Sequence, residues 1–212
     1  LMEPHMSGTI LILVAGAAVL FAGGVKLGWF VAGGAVVSAG LWFIMTKTSY
    51  MAARLAIWKD PWSDPLNKGY QTIQSLYAIG SGGLLGLGLG KSRQKFLYLP
   101  EPENDFIFAI VCEELGLIGA GIVLILFALL VMRGYWIAIH ARDRFGALLV
   151  VGITTLTAVQ VFLNISVVTN LIPTTGISLP FFSYGGTALM IQLAEMGIIL
   201  SVSRQIPAPR QE

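Results

Sequence analysis

The sequence predicts an all-α integral membrane protein: a polytopic helical bundle of about five transmembrane helices with one large extracytoplasmic loop. Three observations predict it. The 212 residues are 56% hydrophobic and only 11% charged, where soluble domains carry about 25% charged residues. Their mean hydropathy is +0.79. The apolar residues fall in long runs almost free of charge, and much of the polar chemistry crowds into residues 86–105.

The apolar runs come in order. The first extends from about Thr9 to Gly24 and the second from about Gly28 to Met45. A third extends from Phe106 to Met132, a fourth from Phe145 to Val168 and a fifth from Gly185 to Val202. At 1.5 Å per residue, such runs suffice to cross a hydrocarbon core of about 30 Å. The expected organisation is therefore one membrane domain over 1–212: two spans in 9–46, a large outer loop in 47–105, three spans in 106–203 and a cytoplasmic tail in 204–212. The chain opens Leu-Met-Glu-Pro, without the basic region of a secretory signal, and reads as part of a longer membrane protein.

Charge orients the spans. Lys26, then Arg133, His140, Arg142 and Arg144, then Arg204 and Arg210 all fall on one face, which the positive-inside bias assigns to the cytoplasm. Parity puts 47–105 outside despite its cations, since long loops are translocated largely regardless of charge. A net charge of +2 gives no case for nucleic acid, and the sole cysteine, Cys112, excludes an intrachain disulfide.

Within the loop, Tyr50–Trp58 has the pattern of a short amphipathic helix, and Asp60-Pro and Asp64-Pro are turn signals. The run from Gly80 to Ser92 contains Gly90-Lys-Ser but is no nucleotide-binding loop: Leu85 stands where the first glycine of that motif belongs. Two uses of its glycines stay open, a close-packed turn or backbone N–H groups that approach an anion beside Lys91, Arg93 and Lys95. Asn104-Asp105 looks like a helix start, where Asp105 caps free N–H groups. Glu113 and Glu114 follow about 12–14 Å further along that helix, at a depth where carboxyls need partners, and the loop cations can pair with them. Carboxylates and cations at one membrane face suit a polar, anionic substrate with a lipid anchor.

Polar groups also lie on the later spans. Gln160 and Asn164 share a face of the fourth, where interhelical hydrogen bonds account for them; Gln192 and Glu195 share one on the fifth. Between these spans runs Ile172-Pro-Thr-Thr-Gly-Ile-Ser-Leu-Pro-Phe-Phe-Ser-Tyr-Gly-Gly, which is expected to dip to membrane depth against protein and line the same cavity as Asp105.

Asp60-Pro-Trp, Gly69-Tyr-Gln, Gly80-Ser-Gly-Gly, Gln94-Lys-Phe-Leu-Tyr-Leu-Pro-Glu, Asn104-Asp-Phe-Ile-Phe-Ala, Glu113-Glu-Leu-Gly and Pro180-Phe-Phe-Ser-Tyr-Gly-Gly resemble the SEDS proteins of bacteria, the FtsW, RodA and SpoVE group. Agreement is dense from Trp58 to Gln205, and Ile177 to Gly186 is closer to the division and sporulation branches. The resemblance implies the C-terminal half of a ten-helix fold, multi-pass in the bacterial cytoplasmic membrane. It also implies a peptidoglycan glycosyltransferase that polymerises lipid II at the outer face beside a class B penicillin-binding protein. The family's essential aspartate maps onto Asp105 as catalytic base. Arg54, Lys91, Arg93, Lys95 and Gln94 would bind substrate, with Ser183 and Tyr184, while Glu113 and Glu114 position or polarise. Mg2+ or Mn2+ can share the charge neutralisation, although no ligand set stands out. Two rivals belong to other classes: a lipid II flippase gated by Glu195 and the Pro/Gly-rich segment, and a non-catalytic scaffold for the transpeptidase.

Overall fold

The computed structural model describes residues 6–47, 55–67, 69–94 and 104–206. Their regular elements are all helical: α1 (Met6–Ala22), α2 (Leu27–Lys47), a 3-10 turn (Pro61–Ser63), α3 (Tyr70–Gly82), α4 (Ile107–His140), α5 (Arg144–Val168) and α6 (Gly186–Ser203). Three of them, α4, α5 and α6, are long and apolar enough to cross a bilayer. The two N-terminal apolar runs are helical as expected, α1 over 17 residues and α2 over 21.

The bundle is organised around α5, against which both α1 and α4 pack, while α6 leans on one end of it. Glycine permits the closest approach of α4 and α5: a Cβ on Gly134 would stand 2.3 Å from Thr154 Oγ1. Such small-residue contacts bring membrane helices together where water supplies no driving force. Two apolar clusters hold the bundle. Phe106, Phe108, Cys112, Val123, Phe127, Val161, Val168 and Leu179 form one. Ile137, Val150, Ile153, Ile199 and Val202 form the other. Asp143 starts α5 by accepting the Gly146 N–H at 2.7 Å.

The segment expected as an outer loop with one short amphipathic helix is more ordered after Asp60 than its composition suggests; residues 50–54 of that helix lie outside the described residues. Residues 55–59 are helical. Asp60 then caps the 3-10 turn, accepting the Trp62 N–H at 3.1 Å, with Pro61 at the first helical position. Next comes α3, whose 13 residues give about 20 Å of rise, too short to span. It lies against α4 and is tied to α5 by the buried Ser75 hydroxyl, which donates to Val168 O at 2.8 Å.

α4 is not one continuous rod. Gly116 adopts φ 67° and ψ −172°, which breaks the helix after the paired glutamates. The break exposes carbonyls and N–H groups that must find partners at membrane depth. The glycine-rich turn after α3 supplies them. Leu87 N donates to Glu113 O (3.0 Å) and Gly88 N to Glu114 O (3.0 Å), while Leu117 N donates to Gly83 O (2.9 Å) and Ile118 N to Leu84 O (3.2 Å). Main chain meets main chain so closely that a Cβ on Gly116 would come within 2.3 Å of Gly86 N, and one on Gly86 within 2.1 Å of Glu114 O.

Candidate active site

Asp105 precedes α4, in the turn formed by residues 104–106. The capping position belongs to Phe106, so Asp105 does not occupy the helix-capping place its residue type suggested. Its main chain is held from two sides. Asn164 of α5, 1% exposed, donates its amide to Asp105 O at 2.8 Å and, with its other N–H, to Ile177 O at 2.8 Å. One side chain thereby fixes the start of α4 and the segment between α5 and α6. Beside this clamp, Ser183 Oγ donates to Asn104 O at 2.6 Å and accepts the Leu179 N–H at 2.7 Å. The carboxyl of Asp105 lies against that segment: a Cβ on Gly176 would stand 3.5 Å from its Oδ2.

The α5–α6 segment thus packs against the start of α4, next to Asp105, as its prolines and glycines suggested. It is irregular but supported by side chains. Gln192 of α6 accepts the Phe181 N–H at 2.8 Å, which relieves a backbone held at φ 65°. At the other end, Trp58 Nε1 donates to Asn170 O at 3.1 Å and Asn170 Nδ2 donates to Trp58 O at 3.4 Å. The described end of the amphipathic helix therefore has its tryptophan bonded to the protein.

A second polar centre surrounds Glu113. Its side chain is 1% exposed and its two oxygens accept from four groups. Ser92 Oγ donates at 2.5 Å, Arg93 N at 3.1 Å, Gln94 N at 3.4 Å and Ser81 Oγ at 3.4 Å. Glu114 Oε1 accepts the Ser92 N–H at 3.4 Å. The expected pairing of these glutamates with loop cations is therefore corrected. Among the described residues, main-chain N–H groups and serine hydroxyls satisfy them, and the side chains of Lys91 and Arg93 stay exposed. Of the two uses open to the glycine-rich run, the close-packed turn is the one seen at Leu87 and Gly88, whose N–H groups are bonded to α4 carbonyls.

The predicted residues therefore fall into two groups, separated by the first turns of α4. Asp105, Ser183 and the Gly176 turn share one; Lys91, Arg93, Gln94, Glu113 and Glu114 share the other. The bend at Gly116 comes after both glutamates, so it does not bring Glu113 toward Asp105 as an acid–base pair. Gln94 keeps a buried Oε1 with no hydrogen-bond partner, and Tyr184 is 79% exposed. Ser183, expected to contact substrate, already uses its hydroxyl on the protein. Arg54 and Lys95 lie outside the described residues. Asn164 is the residue whose importance the sequence concealed. Its spacing from Gln160 showed a polar helix face without showing that the face meets Asp105.

The model of the FtsW/RodA/SpoVE family, described as cell cycle protein, matches residues 1–207. Stage V sporulation protein E of Bacillus subtilis is 48% identical over 94% of this chain and 53% of its own length. A probable peptidoglycan glycosyltransferase FtsW of a Geobacter species is 42% identical over 97% of this chain and 56% of its own. Among solved structures, a peptidoglycan synthase complex that coordinates polymerisation and crosslinking superposes with a TM-score of 0.76. It is 29% identical, and the match covers all of this chain and 58% of that one. The chain spans about half the length of the curated relatives it matches. With the family model covering nearly every residue, the chain belongs to the FtsW/RodA/SpoVE family of membrane proteins.

Proposed function

We propose that this chain carries the outer-face catalytic region of a peptidoglycan glycosyltransferase that polymerises lipid II during cell division or sporulation. The observation that carries the reading is the Asn164 clamp, which seats Asp105 on the Gly176 turn where three elements converge. A carboxyl held at its backbone, at the end of an apolar helix, suits a general base for a lipid-linked sugar. The names carried by the relatives point the same way.

In the reaction, the C4 hydroxyl of the acceptor sugar attacks C1 of the donor's N-acetylmuramic acid. The bond from C1 to the phosphate oxygen breaks, undecaprenyl pyrophosphate leaves, and Asp105 takes the hydroxyl proton. Base assistance of this kind is worth about 10²–10⁴-fold. Lys91 and Arg93, with Arg54 and Lys95, bind the pyrophosphate of the donor, holding it equally before and during cleavage of the C1–O bond. No three His, Cys, Asp or Glu side chains converge among the described residues, so no step is routed through a metal ion. A class B penicillin-binding protein that cross-links the product is the partner we propose, in line with the synthase complex that this fold resembles.

The test is Asp105→Asn, assayed with externally supplied lipid II. Loss of glycan strands with lipid II binding intact is expected, and unchanged polymerisation overturns the reading in favour of a flippase or a scaffold.

A further inference from the structure

We propose that Glu113 is a positioning residue for pyrophosphate capture: its buried carboxyl is an internal anion around which the 92–94 turn folds, so that Lys91 and Arg93 face outward for the substrate. The inference rests on the glycosyltransferase reading and names the device that prepares its leaving-group site.

The donors around Glu113 include a serine hydroxyl and two consecutive main-chain N–H groups, those of Arg93 and Gln94. Consecutive N–H groups aimed at one anion make a nest of the kind that binds phosphate. Here the nest is filled from within the chain, so it holds the loop and no ligand. Ser92 is 2% exposed, and its neighbours on both sides are exposed. That alternation sends residue 92 inward to the carboxyl and residues 91 and 93 away from it. Because Glu113 is satisfied by hydroxyl and N–H donors, it draws neither cation into an ion pair. Arg93 reaches Glu113 through its main-chain N–H, and the side chains of Lys91 and Arg93 are exposed. Glu114 accepts the Ser92 N–H and closes the same turn from the next residue of α4.

An anchor of this kind has a kinetic signature. Proton removal depends on Asp105, in the other polar group, whereas capture of a prenyl pyrophosphate depends on where the cations stand. Loss of the anchor should therefore raise KM and leave kcat nearly alone. A role confined to folding would lower the active fraction, and hence apparent kcat, with KM unchanged.

The experiment uses the complete reading frame that holds these residues, purified into nanodiscs, with labelled lipid II. Glu113→Gln should raise KM by about tenfold, the worth of one charge-assisted contact, with kcat within about threefold. Arg93→Gln should do the same. The double variant should be no more than about twofold worse than the worse single variant, because both remove one interaction. Multiplicative effects in the double variant, or a loss in kcat alone, overturn the proposal. Should Glu113→Gln not fold, Ser92→Ala removes a single donor, and a KM rise of about threefold, again non-additive with Arg93→Gln, is the expected result. Binding of undecaprenyl pyrophosphate, which needs no turnover, separates this inference from the one beneath it. If Asp105→Asn polymerises normally, the glycosyltransferase reading falls while the binding arm still decides the anchor. Weakened binding in Glu113→Gln supports the anchor, and wild-type affinity overturns it.

Discussion

Replacing Gly116 with alanine should be among the most damaging single-methyl changes in the described chain. The residue sits at φ 67° and ψ −172°, a region open almost only to glycine, where another residue costs about 1–3 kcal/mol. The added Cβ would also meet main-chain atoms, Gly86 N at 2.3 Å and Leu84 O at 2.5 Å, which cannot rotate out of the way as a side-chain end can. Relieving that clash means separating the two backbones and losing the four hydrogen bonds that join residues 83–88 to 113–118. At about 1 kcal/mol net for each bond, the whole penalty comes to about 5–7 kcal/mol. That is comparable to the entire stability of many domains. The assay is thermal denaturation in detergent, followed by tryptophan fluorescence, with hydrogen exchange read at the amides of Leu87, Gly88, Leu117 and Ile118. A large fall in midpoint with loss of protection at those four amides is expected. A variant that unfolds within about 1 °C of the parent, with the four amides still protected, refutes the account of the break, because a shift that small corresponds to well under 1 kcal/mol.

Further outcomes follow from the same geometry. Asn164→Leu removes the amide that donates to two carbonyls, those of Asp105 and Ile177, and should cost about 2–4 kcal/mol by denaturation, with polymerisation falling further than the folded fraction. Gly176→Ala brings a methyl to 3.5 Å from the Asp105 carboxyl at a position with φ 72°; it should destabilise by about 1–2 kcal/mol and slow glycan synthesis by covering the base. Ser183→Ala removes both a donor to Asn104 and an acceptor for Leu179, so its melting temperature should fall. Tyr184→Phe, at a largely exposed position, should leave melting unchanged, so that any loss of polymerisation marks a substrate contact.

Much of this molecule was legible in its residues, for identifiable physical reasons. Long apolar runs can satisfy their backbones in a bilayer only as helices, which made α5, α6 and the start of α4 readable to within about one residue, while α4 runs on past the expected end at Met132 to His140. The role of Asp105 came from the family resemblance of its motif, while the proline-rich segment after α5 was readable because irregular backbone at membrane depth needs protein or a wet cavity beside it. The break in α4 was not legible. Glu113-Glu-Leu-Gly reads as helix by propensity, and only the arrival of a second backbone at Gly116 makes the interruption favourable. The partners of Glu113 were misjudged for a related reason. A sequence displays lysines and arginines as obvious counter-charges, whereas the main-chain N–H groups that reach this carboxyl belong to no residue type. Asn164 shows the same limit, since spacing along one helix says nothing of what faces it.

The backbone seam between the glycine turn and α4 constrains how the family can be recombined. Residues 83–88 and 113–118 are complementary halves of one joint, so a chimera that imports one half from a homologue must carry the other with it. At Gly86 and Gly116, exchange for a larger residue has no compensating partner to shrink, because what stands opposite is already peptide. Drift in these proteins should then concentrate on the lipid-facing flanks of the spans, while the joint changes only as a unit.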